Sequence, residues 1–122
     1  MSANILLIDD DMLVRSTLED TLVSAGFNVM TAANGMHAQT VMKDKAIDLV
    51  ITDIMMPQMD GIETIRRLRD TRGDLKILAI SGGSQNFGTS LLDIARRIGA
   101  NRSLPKPFMP NDLLCAVREM LN

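Results

Sequence analysis

The chain has 122 residues, a formal net charge of −2, one cysteine, ten methionines, and neither tryptophan nor tyrosine. This length fits one domain, residues 1–122, with a real core, and the slight acidity argues against a general nucleic-acid binder, which is expected to be basic. The single Cys115 has no internal disulfide partner and fits a reducing compartment. No stretch approaches the ~20 apolar residues of a membrane span, and no basic region precedes the short ILLI run, so a cytoplasmic location is expected.

Asn4 to Asp9 (NILLID) predicts a buried strand, followed by the acidic turn Asp9, Asp10 and Asp11. Asp11 is placed to cap a helix whose apolar positions Val14, Leu18, Leu22 and Ala25 recur at helical spacing, and Gly26 stops that helix. Phe27 to Ala32 alternates, with Phe27, Val29 and Thr31 set against Asn28 and Met30, and predicts an edge strand. Asn34 and Gly35 open a second helix carrying Ala38, Val41 and Met42. His37 on that helix reads as a surface residue.

The stretch IDLVITDIMMPQMDG, residues 47–61, holds the most information. Ile47, Leu49, Val50 and Ile51 form a short apolar run of the kind buried on both faces of a parallel sheet. Asp53 falls where this strand ends, before the loop marked by Pro57 and Gly61. Ile62, Ile65 and Leu68 define a third helix with arginines on its outer side. Leu75 to Ile80 is a fourth strand ending at Ser81, and SGGSQNFG, residues 81–88, is a flexible connection. A helix with Leu91, Ala95 and Ile98 ends at Gly99. Arg102 to Leu104 is a short fifth strand, followed by Pro105, Lys106 and Pro107. The last helix starts at Pro110 or Asn111 and turns Leu113, Leu114, Val117 and Leu121 inward. Cys115 falls off this apolar stripe and is expected to be partly exposed. The methionine surplus reads as adaptable packing.

Alternating strands and helices with right-handed crossovers predict a doubly wound α/β fold: a five-stranded parallel sheet covered on both faces by five helices. In such a sheet ligands bind outside the carboxyl ends of the strands. Asp9, Asp10, Asp53, Ser81 and Lys106 all fall at those ends. Singly, each has an ordinary explanation as a cap, a turn hydroxyl or a surface charge; their coincidence on one rim is the signal. Three converging carboxylates repel unless a cation intervenes, and an all-oxygen donor set suits a hard ion such as Mg²⁺. A carboxylate beside Mg²⁺, a hydroxyl and an ammonium suits a phosphoryl group, which makes Asp53 a candidate nucleophile.

The segments ILLIDDD, ITDIMMPQMDG, ILAIS and LPKPF, in this order and spacing, resemble the receiver domain of two-component response regulators across essentially the whole chain. The resemblance implies a flavodoxin-like sheet with strand order 2-1-3-4-5. It implies Asp53 as phosphoacceptor, Asp10 as a direct Mg²⁺ ligand and Asp9 acting mainly through water. The backbone carbonyl of Met55 would complete the metal site. Ser81 matches the switch hydroxyl and Lys106 the phosphate-binding lysine, with a cis bond from Lys106 to Pro107. The implied partners are a sensor histidine kinase or histidine phosphotransfer protein, and a downstream protein at the face of the fourth helix, fifth strand and fifth helix, where Arg96, Arg97, Arg102 and Arg118 would set partner choice. The molecule would be a phosphoacceptor signalling module, not an enzyme, working as a monomer or weak homodimer.

Two departures stand out. Ser103 occupies the position three before the lysine where the family usually has an aromatic, which points to a phosphate sink or relay as an alternative to an output switch. Gly82 and Gly83 follow Ser81, so a mobile segment is expected over Gly82–Gln85. Other functions fit less well. A P-loop lacks its Gly-Lys-Ser/Thr ending, and a haloacid-dehalogenase-like phosphatase wants a second Asp where Met55 stands. A flavodoxin-type carrier lacks its phosphate loop and aromatics. A degenerate receiver acting only as a binding module is disfavoured by the full set of rim residues.

Overall fold

The short apolar runs become strands because their side chains can be buried on both faces at once. The computed structural model describes residues 2–43, 45–54, 60–81 and 91–122, with Asp60 and residues 91–94 described by backbone alone. Met55 and Gly82–Gln85, to which a metal-binding carbonyl and mobility were assigned above, lie outside the described residues. The strands are β1 (Asn4–Ile8), β2 (Asn28–Ala32), β3 (Leu49–Asp53), β4 (Lys76–Ser81) and β5 (Arg102–Pro105). The helices are α1 (Met12–Ser24), α2 (Gly35–Met42), α3 (Asp60–Thr71), α4 (Leu91–Ile98) and α5 (Pro110–Leu121). All strand pairings are parallel, in the order β2-β1-β3-β4-β5.

Successive strand side chains point to opposite faces, so one continuous apolar strand feeds two cores. Leu6, Ile8, Val50, Ile77 and Ala79 pack under α2, α3 and α4 with Ala38, Met42, Ile65, Leu68 and Ala95. Ile5, Leu7, Leu49, Ile51, Leu78 and Ile80 pack under α1 and α5 with Leu18, Leu22, Leu113 and Val117. Every residue of β3 is buried, as expected of the central strand. That burial leaves Asp53 anchored at the end of the central, fully buried strand.

Helix boundaries follow local chemistry. The Asp11 carboxylate accepts from the backbone N–H groups of Leu13 at 2.9 Å and Val14 at 3.2 Å, so it caps α1 as expected. Gly26 and Gly99, which follow α1 and α4, have φ of 97° and 144°, values that L side chains rarely adopt. The Asn34 side chain accepts from the His37 N–H at 2.8 Å and caps α2. In α5, Pro110 takes the first helical position and the Met109 N–H donates to Asp112 Oδ2 at 2.9 Å.

β2 is an edge strand, as the alternation over Phe27–Ala32 predicts. Val29, Met30 and Thr31 are all half-buried, because α1 covers one side of β2 and α2 the other. Two other expectations need correction. The methionine surplus is only partly packing: Met42 is buried, but Met12, Met36 and Met109 are 73%, 76% and 68% exposed. The arginines in and just after α3 are not uniformly solvated. Arg66 and Arg67 lie outward beside Glu63, whereas Arg69 and Arg72 turn back onto neighbouring main-chain carbonyls.

Candidate functional site

The parallel register carries the ends of separate strands to one rim. Ile8 pairs with Thr52, Asp53 with Ile80, and Ser81 with Pro105. Hydrogen bonds continue past the strand ends: Ile54 N–H donates to Ile80 O at 2.9 Å and Lys106 N–H to Ser81 O at 2.7 Å. Asp9 N–H donates to Ala32 O at 3.1 Å. Asp9, Asp53, Ser81 and Lys106 are therefore held by backbone bonding on four neighbouring strands.

The side chains converge. Oxygens of Asp9, Asp10 and Asp53 lie within 4.8 Å of one another. Lys106 Nζ donates to Asp53 Oδ2 at 3.2 Å and stands 3.9 Å from Asp9 Oδ2. Asp9 and Asp53 are buried while Asp10 is exposed, so the cup opens to solvent on the Asp10 side. Burial pushes the Asp9 carboxyl up to about 6 from its ordinary 3.8; the Asp11 N–H and Lys106 oppose the rise, and Asp53 and Asp10 add to it. The Ser81 hydroxyl is buried and has no hydrogen-bond partner among the described residues. A buried, unsatisfied hydroxyl is costly, and it marks a place where an acceptor is missing.

Three hard oxygen donors at this spacing, with one carboxyl already short of positive charge, fit a divalent cation of the Mg²⁺ class. The lysine and the open serine hydroxyl fit an oxyanion beside it. The peptide between Lys106 and Pro107 is cis, as the resemblance implied.

Two features of the site escaped the sequence reading. Gly61 does more than punctuate the loop. A Cβ there would collide with the Ile54 backbone and come within 2.6 Å of Asp53 O, so glycine lets the first turn of α3 cross directly over the end of β3. Arg15 belongs to no motif in the sequence, yet its Nη1 donates to the Asp9 carbonyl at 2.7 Å. The available signal was a cation in the first turns of a helix, where the dipole disfavours it.

Residues 5–118 match the response regulator receiver domain. The chain belongs to that family. This receiver is 38% identical over 122 residues to the response regulator MprA of Mycobacterium tuberculosis strain H37Rv, an alignment covering 99% of this chain and 51% of that protein. It thus spans about half the length of the curated relatives it matches. Among solved structures, the chemotaxis protein CheY4 of Vibrio cholerae superposes with a TM-score of 0.87 at 29% identity, covering 99% of this receiver and 100% of that chain. A CheY-like receiver domain protein of Methanospirillum hungatei JF-1 gives 0.87 at 26% identity, covering 99% and 94%. Phosphoryl acceptance in two-component signalling is general to this family, with a histidine kinase as the usual donor. Among the described residues, no helix of this receiver is long and apolar enough to cross a membrane.

Proposed function

We propose that Asp53 is the phosphoacceptor of a cytoplasmic signalling module and that the transfer depends on Mg²⁺. The observation that carries this reading is the meeting of Lys106 Nζ with Asp53 Oδ2 at 3.2 Å inside a cup of three carboxylates. A carboxylate oxygen of Asp53 attacks phosphorus in a phosphohistidine presented by a sensor histidine kinase or a histidine phosphotransfer protein. An O–P bond forms, the P–N bond breaks with its electron pair passing to nitrogen, and the imidazole, already protonated on its other nitrogen, leaves neutral. Asp10 and Asp53 would hold Mg²⁺ directly, Asp9 through water, and the Met55 carbonyl would complete the set. The bound cation supplies neutralisation of charge on the equatorial phosphoryl oxygens.

Lys106 then exchanges Asp53 for a phosphoryl oxygen. The Ser81 hydroxyl, which lacks an acceptor among the described residues, donates to another. These contacts exist only with phosphate present, so they favour an arrangement that is minor without it. The readout surface is the α4–β5–α5 face, offered to a protein partner by a monomer or weak homodimer. Arg96 and Arg97 of α4 are exposed, Arg102 is paired with Glu119 at 2.8 Å, and the exposed Arg118 lies beside Gly26 and Phe27 at the end of α1.

Ser103 favours a second reading of the output. It lies on β5 opposite Ala79, half-buried, and its small side chain supplies no aromatic lever between the rim and that face. A phosphate sink or relay intermediate needs no such lever. Incubation with acetyl phosphate and Mg²⁺ tests the main reading: one phosphoryl group is gained by mass, and none in Asp53→Asn or when Mg²⁺ is chelated. Equal uptake by Asp53→Asn would overturn it. Comparing partner binding before and after phosphorylation separates switch from sink.

A further inference from the structure

Arg15 is half-buried on the first turns of α1, and its side chain tilts back toward the helix N-terminus, as helical side chains do. Its Nη1 donates at 2.7 Å to the carbonyl of Asp9, six positions upstream. That carbonyl belongs to the peptide joining Asp9 to Asp10. The other contacts of the turn hold different atoms: Asp9 N–H on Ala32 O, Asp11 N–H on Asp9 Oδ1 at 2.9 Å, and the Asp11 cap. Among the described residues, only Arg15 fixes the plane of the Asp9–Asp10 peptide from its carbonyl side. The first turn of α1 contains no acidic residue, and Arg15 sits close behind it, against the helix dipole. The guanidinium's side chain makes no other hydrogen bond or ion pair among the described residues.

We propose that Arg15 is a positioning residue for the metal-binding side of the cup: it sets the direction in which Asp10 leaves β1 and so aims the exposed carboxylate at the cation. The proposal rests on the Mg²⁺ reading above. Its sign separates it from simple electrostatics. A cation removed from beside an acidic cup tightens Mg²⁺ binding, whereas a ligand released from its orientation weakens it.

The test is Mg²⁺ titration of the full chain without any phosphodonor, followed by backbone amide NMR, for the wild type, Arg15→Gln and Arg15→Lys. Arg15→Gln is expected to bind Mg²⁺ about 10-fold more weakly, as loss of an outer-shell partner typically does, and to shift the Asp10 amide in the metal-free state. Arg15→Lys, which keeps the charge without the forked donor, is expected to recover only part of the affinity. Amide dispersion reports folding in the same spectra. Should Arg15→Gln be unfolded, the Arg15→Lys titration decides, with wild-type affinity overturning the proposal. Arg15→Gln binding as tightly as wild type, or more tightly, also overturns it while leaving the metal site standing. A wild type that does not bind Mg²⁺ overturns the metal reading itself, and this inference with it.

Discussion

At the amino-terminal end of the sheet Arg69 commits Nη1 to the carbonyls of Gly73 at 2.7 Å and Leu75 at 2.6 Å. Its Nη2 goes to Gly99 O at 2.7 Å and Asn101 Oδ1 at 2.8 Å. Arg72, just after α3, reaches the other way, to Lys45 O and Met42 O at 3.0 Å each, so the end of α3 closes the C-terminal ends of both helices beside it. At the carboxyl end three carboxylates draw together, two of them beside one ammonium, one of them is pushed up to about 6, and a buried hydroxyl has no acceptor among the described residues. Among the described residues, the amino end gives both guanidiniums several acceptors, whereas the carboxyl end sets three carboxylates near one ammonium and leaves the Ser81 hydroxyl without an acceptor. The same fold tolerates both because the two ends are separated by the length of the strands. The satisfied end carries stability, and the unsatisfied end is where a ligand can gain binding energy that the apo protein cannot supply for itself.

The strongest way to break this contrast is Arg69→Ala. It takes the Arg69 donor from the carbonyls of Gly73, Leu75 and Gly99 and leaves Asn101 Oδ1 with the Ile77 N–H alone, and a loss of about 3 kcal/mol is expected in urea unfolding at neutral pH. A loss below about 1 kcal/mol would mean that the amino end is no better satisfied than ordinary surface.

A smaller effect is expected at the acid cup, with opposite signs for the two states. Asp9 is raised from 3.8 to about 6 in the folded protein, so the fold binds this proton more tightly than the unfolded chain does. Its contribution is fully present below about pH 4 and is lost as pH rises through about 6. Metal-free protein should therefore lose stability over that interval, and saturating Mg²⁺ should reverse the slope because ligation requires the deprotonated carboxyl. Urea midpoints across pH 4 to 7, with Mg²⁺ and with chelator, check this. Burial is the main cause, so Asp53→Asn should narrow the metal-free slope without abolishing it. A metal-free protein equally stable at both ends of the interval would contradict the account.

The smallest effect sharpens the comparison by placing an exposed pair beside the buried ones. Arg102 and Glu119 meet at 2.8 Å, but their side chains are 44% and 55% exposed. Arg102→Ala is expected to change stability by no more than about 0.5 kcal/mol, and the difference should vanish in high salt.

What the residues determined by themselves is local. The apolar run of β3, the Asp11 cap, the stops at Gly26 and Gly99 and the start of α5 near Pro110 each depend on groups within a few positions, so periodicity and turn chemistry suffice to read them. The strand-end placement of Asp9, Asp53, Ser81 and Lys106 also follows, once parallel pairing is granted. What only the tertiary structure decided are distances between groups far apart in the chain. Lys106 meets a carboxylate 53 positions away, and Arg69 finds acceptors up to 32 positions away. The burial that lifts Asp9, the close approach of Gly61 to the end of β3 and the two-sided covering of β2 belong to the same class. Caps and hydrophobic periods are set by covalent neighbours, whereas charge pairing and desolvation fall off over a few ångströms and depend on which strands the packed sheet makes adjacent.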